Sequence, residues 1–257
     1  MKSILAAVIL AVLAAPAAAG EVEDLIAGTR TECRGCDLQG ANFKKADLAG
    51  VDLTGANLTD ATFHRANLRG AILTEVTAIG TNFNLADMTQ AQMASGDFSR
   101  SMFFGAQVSG ADLSAANLTE TRMQEVRLTS AKLPGAILDR AILRNALVNN
   151  CDFTGASFLA TTLEHSRAVR SKFIGATMYG VAFGKADAAA ADFSGTTITQ
   201  SDFFATDLRR AKFDSATVSA SRFTRAATEE DTFAGAVLTN NFMPDGRLQA
   251  QGPSDGE

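Results

Sequence analysis

The chain has no tryptophan, one tyrosine, two histidines and three cysteines in 257 residues. Each scarcity closes off a chemistry. With no Trp and Tyr179 alone, the sequence offers no evident aromatic platforms for stacking sugars, and it has no carboxylate pair at glycosidase-like placement. A formal net charge of −5 is too mild and of the wrong sign for a basic nucleic-acid surface. Beyond residue 20 no apolar run is long enough to span a membrane. The length suits one large domain or two ordinary ones.

Apolar residues do run together at the N-terminus. Met1-Lys2 is followed by Ile4 to Leu13, then Pro16 and Ala17-Ala18-Ala19 before Gly20. A positive start, a short apolar core and an A-x-A site describe a cleavable export signal over residues 1–19. No Cys follows the cleavage point, which disfavours a lipid anchor. The expectation is an exported chain in the periplasm or outside the cell, with no stable membrane insertion.

The rest of the chain obeys a period of five. Of the 42 positions from Leu38 to Met243 taken every fifth residue, 14 are Phe and 15 are Leu. Two residues before each, Ala fills 23 of 42 places, from Cys36 to Asn241. No amphipathic helix has this period. Two apolar positions two apart lie on one face of a strand, and the next small residue comes three later, at turn spacing. Each pentad is therefore a short extended segment and a corner, and its third turn residue favours Gly at positive φ. Gly recurs there, as at Gly40, Gly55, Gly110 and Gly195. Phe pairs are nine at a separation of 20, against two at 15 and one at 25. Stacked rings one strand spacing apart thus set a circuit of four pentads, giving about ten coils at about 4.8 Å each.

The phrases ANLTDATF, ANLRGAIL and ADFSG resemble the pentapeptide-repeat family, over about residues 33–243. The resemblance implies an all-β, right-handed quadrilateral parallel β-helix. Some members of that family are duplex-DNA mimics that bind DNA gyrase through a strongly acidic rod. The column Asp112, Lys132, Asp152, Lys172, Asp192, Lys212 alternates in sign instead, as does Arg100, Glu120, Arg140. Such columns cancel the field a mimic needs, and export removes the chain from gyrase.

A solenoid must cap its ends. Residues 20–32 are expected to form an N-terminal cap, with a short helix laying Leu25 and Ile26 on the first coil. From 244 to 257 the Gly/Pro-rich tail reads as disordered. Thr228 and Asp231 fall on inward positions, so the last coil should be the weakest. Cys33 and Cys36 are the first and fourth residues of a turn, with Cα atoms within about 7 Å. That suits a disulfide in an oxidising compartment. A redox couple would need a helix N-terminus and a βαβ context, and a zinc site a second ligand pair. Cys151 reads as a buried free thiol.

His64 and His165 lie about five coils apart, roughly 24 Å, too far to share a proton or a metal. The many Asp and Asn precede core positions, where they bond turn backbone. The reading therefore contains no catalytic residue, metal or cofactor. The outward anomaly is apolar: Ile137, Ile142 and Leu147 on three successive sides of one coil, with Leu159 and Tyr179 in a nearby column. These five are the candidate interaction patch. The functional expectation is a non-enzymatic envelope or periplasmic scaffold for a protein or envelope partner, with a homodimer as one form of that contact. The alternative is a polysaccharide-binding or polysaccharide-active β-helix, and gyrase inhibition ranks third.

Overall fold

The computed structural model describes residues 19–249. The export-signal reading over residues 1–19 falls almost wholly outside that range, as does the end of the tail, residues 250–257. From Cys33 onward the chain turns a corner every five residues and closes a square coil every 20. Residues 20 apart pair in parallel along the whole rod, from Glu32↔Asp52 through Asp112↔Lys132 to Arg222↔Phe242.

The interior follows from the pentad. From Leu38 to Phe223 the Phe, Leu and Met of the core column are buried, with the Ala of the small column between them; Phe233, Leu238 and Met243 at the last coil are half-buried. Phe153, Phe173, Phe193 and Phe213 stack with centroids 5.1, 4.9 and 4.9 Å apart. Phe43, Phe63, Phe83 and Phe103 form a second stack at 4.8, 5.2 and 5.0 Å. Where Phe98 turns edge-on between Phe83 and Phe103, the small column carries Gly96. A Cβ there would sit 2.6 Å from the Phe98 ring.

The corners are more tolerant than the Gly preference implies. Every multiple of five from Gly35 to Asn240, except Glu230, has positive φ; 27 of these residues are not Gly, against 14 that are. The turn hydrogen bond, for example Ala46 N–H to Phe43 O at 3.0 Å, and core burial on either side over-determine the conformation. Asp and Asn at the position before the core residue accept the next turn's N–H, as Asn42 does from Lys44 at 3.1 Å and Asp152 from Thr154 at 3.1 Å.

One corner opens. There the chain forms a five-stranded parallel sheet: β1 (Ser157–Leu159), β2 (Thr177–Tyr179), β3 (Thr197–Thr199), β4 (Thr217–Ser219) and β5 (Val237–Thr239). At three of these corners the small column of the coil above takes up the turn N–H. Ser201 Oγ accepts the Val181 N–H at 3.2 Å, Ser221 Oγ that of Ser201 at 3.0 Å, and Asn241 Oδ1 that of Ser221 at 2.9 Å. Each N–H would otherwise close a turn. The residues before these corners run extended, although the Cys151 N–H, held likewise by Ser171 Oγ at 3.2 Å, has no strand before it. Inward hydroxyls elsewhere also find carbonyls, as Thr81 does at Leu58 O (2.6 Å) and Thr161 at Leu138 O (2.8 Å). The buried Ser166 hydroxyl has no partner among the described residues.

The ends differ from expectation. The helix α1 (Ala19–Ile26) buries Leu25, but Ile26 is exposed, because adjacent residues on one helical turn cannot share a face. The last coil corrects the placement of Thr228 and Asp231. Thr228 is half-buried and Asp231 exposed, while Thr232 is buried in their stead. An inward carboxylate would have no partner, so the backbone slips: Ser215 N–H bonds Gly235 O, one residue beyond the regular register, and Glu229 N–H bonds Thr232 Oγ1 at 2.7 Å. The slip leaves a cavity of about 290 Å³ beside Lys212 and Asp214. Residues 244–249 are not disordered. They fold back on the last coil through an antiparallel Phe242↔Leu248 bridge and a Gln249 N–H bond to Asn241 O at 2.8 Å.

Candidate interaction surfaces

The rod offers its variable positions to solvent, and three groups depart from the pentad pattern. The first is the cysteine pair. Cys33 and Cys36 form a disulfide with Cα atoms 5.4 Å apart. Cys33 is buried in the first coil, and Arg30 ties the bridge to the cap, reaching Glu21 of α1 at 3.1 Å and Cys36 Sγ at 3.9 Å. Glu21 and the two sulfurs lie within 4.8 Å of one another, but the sulfurs are spent on each other and the guanidinium occupies the carboxylate.

Cys151 is free, with Sγ donating to Leu128 O at 3.0 Å. Burial pushes its thiol up to about 12 from an ordinary 9.0. The protonated thiol is the favoured buried form, so its share of stability is complete below about pH 9 and declines as pH rises from there toward about 12. We expect iodoacetamide to label Cys151 only upon unfolding. The loss of stability between pH 9 and 11 should be smaller in Cys151→Ser than in the parent chain. Rapid labelling of the native protein at pH 8.5 would contradict this burial.

The second group is the apolar patch. Ile137, Leu159 and Tyr179 are 41%, 38% and 47% exposed. They lie on the opened corner: Ile137 pairs with Ser157 of β1, and Leu159 pairs with Tyr179 across β1 and β2. Ile142 and Leu147 do not join them. Both are half-buried on other sides, beside Arg122 and Thr162 and beside Arg127 and Arg167, because two successive corners turn them away. Above the trio the same face carries hydroxyls, Thr197, Thr199, Thr217 and Ser219.

The third group was not legible from Trp and Tyr content. Three of the 17 Phe lie off the core column: Phe104, Phe204 and Phe242. Phe104 is 44% exposed, so the rod does have an aromatic platform. The doublets Phe103-Phe104 and Phe203-Phe204, each a core ring followed by an outward one, are the signal that marks it. Phe204 lies on the same corner and is covered by guanidinium groups, Arg222 at 4.8 Å and Arg225 at 5.7 Å from its centroid.

Charge is dispersed. The Asp112-to-Lys212 ladder is in register, yet its members do not close ion pairs among the described residues. Asp112 is held below its usual value first by the Ser114 hydroxyl, against partial burial, then by the Ser114 N–H and Lys132. Closed pairs lie elsewhere, including Arg140–Glu120 at 3.1 Å and Arg144–Glu164 at 2.6 Å. No helix among the described residues is long and apolar enough to cross a membrane.

A family model for pentapeptide repeats matches this chain in eight copies, over residues 36–74, 81–119, 106–145 and 121–158. Among solved structures, HetL, a pentapeptide repeat protein involved in heterocyst differentiation regulation from the cyanobacterium Nostoc sp. strain PCC 7120, is 21% identical. The alignment covers 90% of this chain and 98% of HetL, with a TM-score of 0.47. Full-length QnrB1, a plasmid-mediated fluoroquinolone resistance protein, is 20% identical over 81% of this chain and 94% of its own, with a TM-score of 0.40. A pentapeptide repeat protein of the Arabidopsis thaliana thylakoid lumen is 22% identical over 39% and 67%, with a TM-score of 0.35. No curated protein sequence matches.

Proposed function

Since the chain is a pentapeptide-repeat protein, a rod whose repeat specifies its interior, we propose that it is a non-enzymatic scaffold of the cell envelope or periplasm that presents a rigid β-helical face to a protein partner. The observation that carries this is the exposed trio Ile137, Leu159 and Tyr179 on the opened corner. Its backbone is fixed by parallel pairing, so a partner meets a preorganised surface and binding orders little chain. Many of the Asp carboxylates accept turn N–H groups, as Asp87 does from Thr89 and Asp152 from Thr154. Export rests on the N-terminal sequence, and the Cys33–Cys36 disulfide suits an oxidising compartment. The alternating charge columns argue against a DNA mimic.

The test replaces the trio, Ile137→Ser, Leu159→Ser and Tyr179→Ser, in the exported chain. Crosslinking in the periplasm and sedimentation of the purified protein should both show a loss of assembly, whether with another protein or with a second copy. Unchanged crosslinks and mass would dismiss the face. Recovery of an uncleaved chain from the cytoplasm would dismiss the envelope placement.

A further inference from the structure

A groove of about 410 Å³ runs along the corner that carries Phe104, away from the Tyr179 face. Its volume is in the range of small-ligand sites. The floor is apolar. Phe104 and Met102 form it, and beside the groove the exposed Leu85 crosses the coil where Gly105 has no side chain; a Cβ on Gly105 would stand 2.8 Å from Leu85 Cδ2. The walls are planar polar groups. Arg144 is engaged by Glu164, and Asn84 accepts the Phe104 N–H at 2.8 Å. Arg122, Gln124, Glu125 and Asn145 hold no side-chain partner among the described residues.

The geometry points to a binding site for a neutral glycan strand. A sugar ring presents an apolar C–H face and a rim of hydroxyls that both donate and accept. Here an open phenyl ring meets the face, while guanidinium, carboxylate and amide groups meet the rim, supplying donors and acceptors in planar, two-pronged form. The charges balance, Arg122 and Arg144 against Glu125 and Glu164, which gives a polyanion no advantage. The apolar floor is short and broken by polar groups, unsuited to the continuous stripe of an amphipathic helix. Phe204 stands on the same corner five coils further, about 24 Å away at strand spacing, with His165 and Lys185 beside it. An extended polymer can reach both the open Phe104 ring and the guanidinium-covered Phe204, whereas a monosaccharide meets only Phe104.

The full-length mature chain should be titrated calorimetrically with β-linked hexasaccharides of glucose and of N-acetylglucosamine, with a hexagalacturonate as the anionic comparator. Binding of a neutral hexasaccharide is expected, weakened at least tenfold by Phe104→Ala and by Glu125→Ala at unchanged melting temperature. Phe204→Ala should leave the hexasaccharide affinity intact and weaken retention on the corresponding insoluble polymer. Ile137→Ser/Tyr179→Ser should alter neither, which separates this site from the protein-binding face. Failure of both neutral probes at millimolar concentration, preference for the uronate, or affinity in Phe104→Ala within twofold of the parent would each overturn the assignment.

Discussion

Phe173→Ala is expected to cost about 3–5 kcal/mol of unfolding free energy, the range for removing a buried aromatic ring. Phe173 is fully buried, stacked at 5.1 Å on Phe153 and 4.9 Å on Phe193, and met edge-on by Phe183 at 5.7 Å. Neighbouring coils cannot collapse into the gap, because their spacing is set by backbone pairing above and below, such as Phe173 N–H to Asp192 O at 2.7 Å. Denaturant unfolding measures the loss. Hydrogen exchange should locate it, since a solenoid couples each coil mainly to its neighbours. Amides of residues 153–193 should lose protection while those of 43–103 keep theirs. A cost under about 1 kcal/mol would mean that the small Ala column, and not the ring stack, sets the stability.

Asn241→Ala should cost about 2–4 kcal/mol, from a residue at the edge of the rod. Its fully buried amide accepts the Ser221 N–H at 2.9 Å and donates to Val218 O at 2.9 Å. Truncation strands two buried backbone groups, each worth about 1–3 kcal/mol when left unpaired. Asn241→Ser keeps an acceptor, as Ser221 and Ser201 do on the coils below, and should restore about half of the loss. Equal melting of the Ala and Ser variants would show that the stranded N–H finds another partner. The variant should also loosen residues 242–249, since the Asn241 side-chain amide donates to Gln249 Oε1 at 3.5 Å.

The pentad was readable because its register of a small residue and, on nearly every side, a large apolar one runs unbroken from Leu38 to Val218. The cysteine bridge was readable because turn geometry alone brings Cys33 and Cys36 within reach. What escaped the repeat were its cooperative details. That Ser201, Ser221 and Asn241 each take up an N–H of the coil below depends on contacts 20 residues away. The slip at Asp231 depends on a desolvation cost that outweighs the register, and the fold-back after Pro244 on one bridge to Phe242. Of the outward apolar residues on three successive sides of one coil, only Ile137 is exposed, whereas Ile142 and Leu147 are half-buried. Phe104 stands apart from the 14 core phenylalanines only by its offset of one from the core column.

The 20-residue register makes length and direction separate variables. Adding one whole coil lengthens the rod by about 4.8 Å and leaves each corner facing as before, since every rung still sits above its equivalent. Adding a single pentad keeps the interior chemistry but rotates everything downstream by a quarter turn, which would carry Phe204 off the corner it shares with Phe104 and split the ring stacks. Growth of such a rod is thus quantised in coils, and the spacing of anything it grips along one corner can change only in those steps.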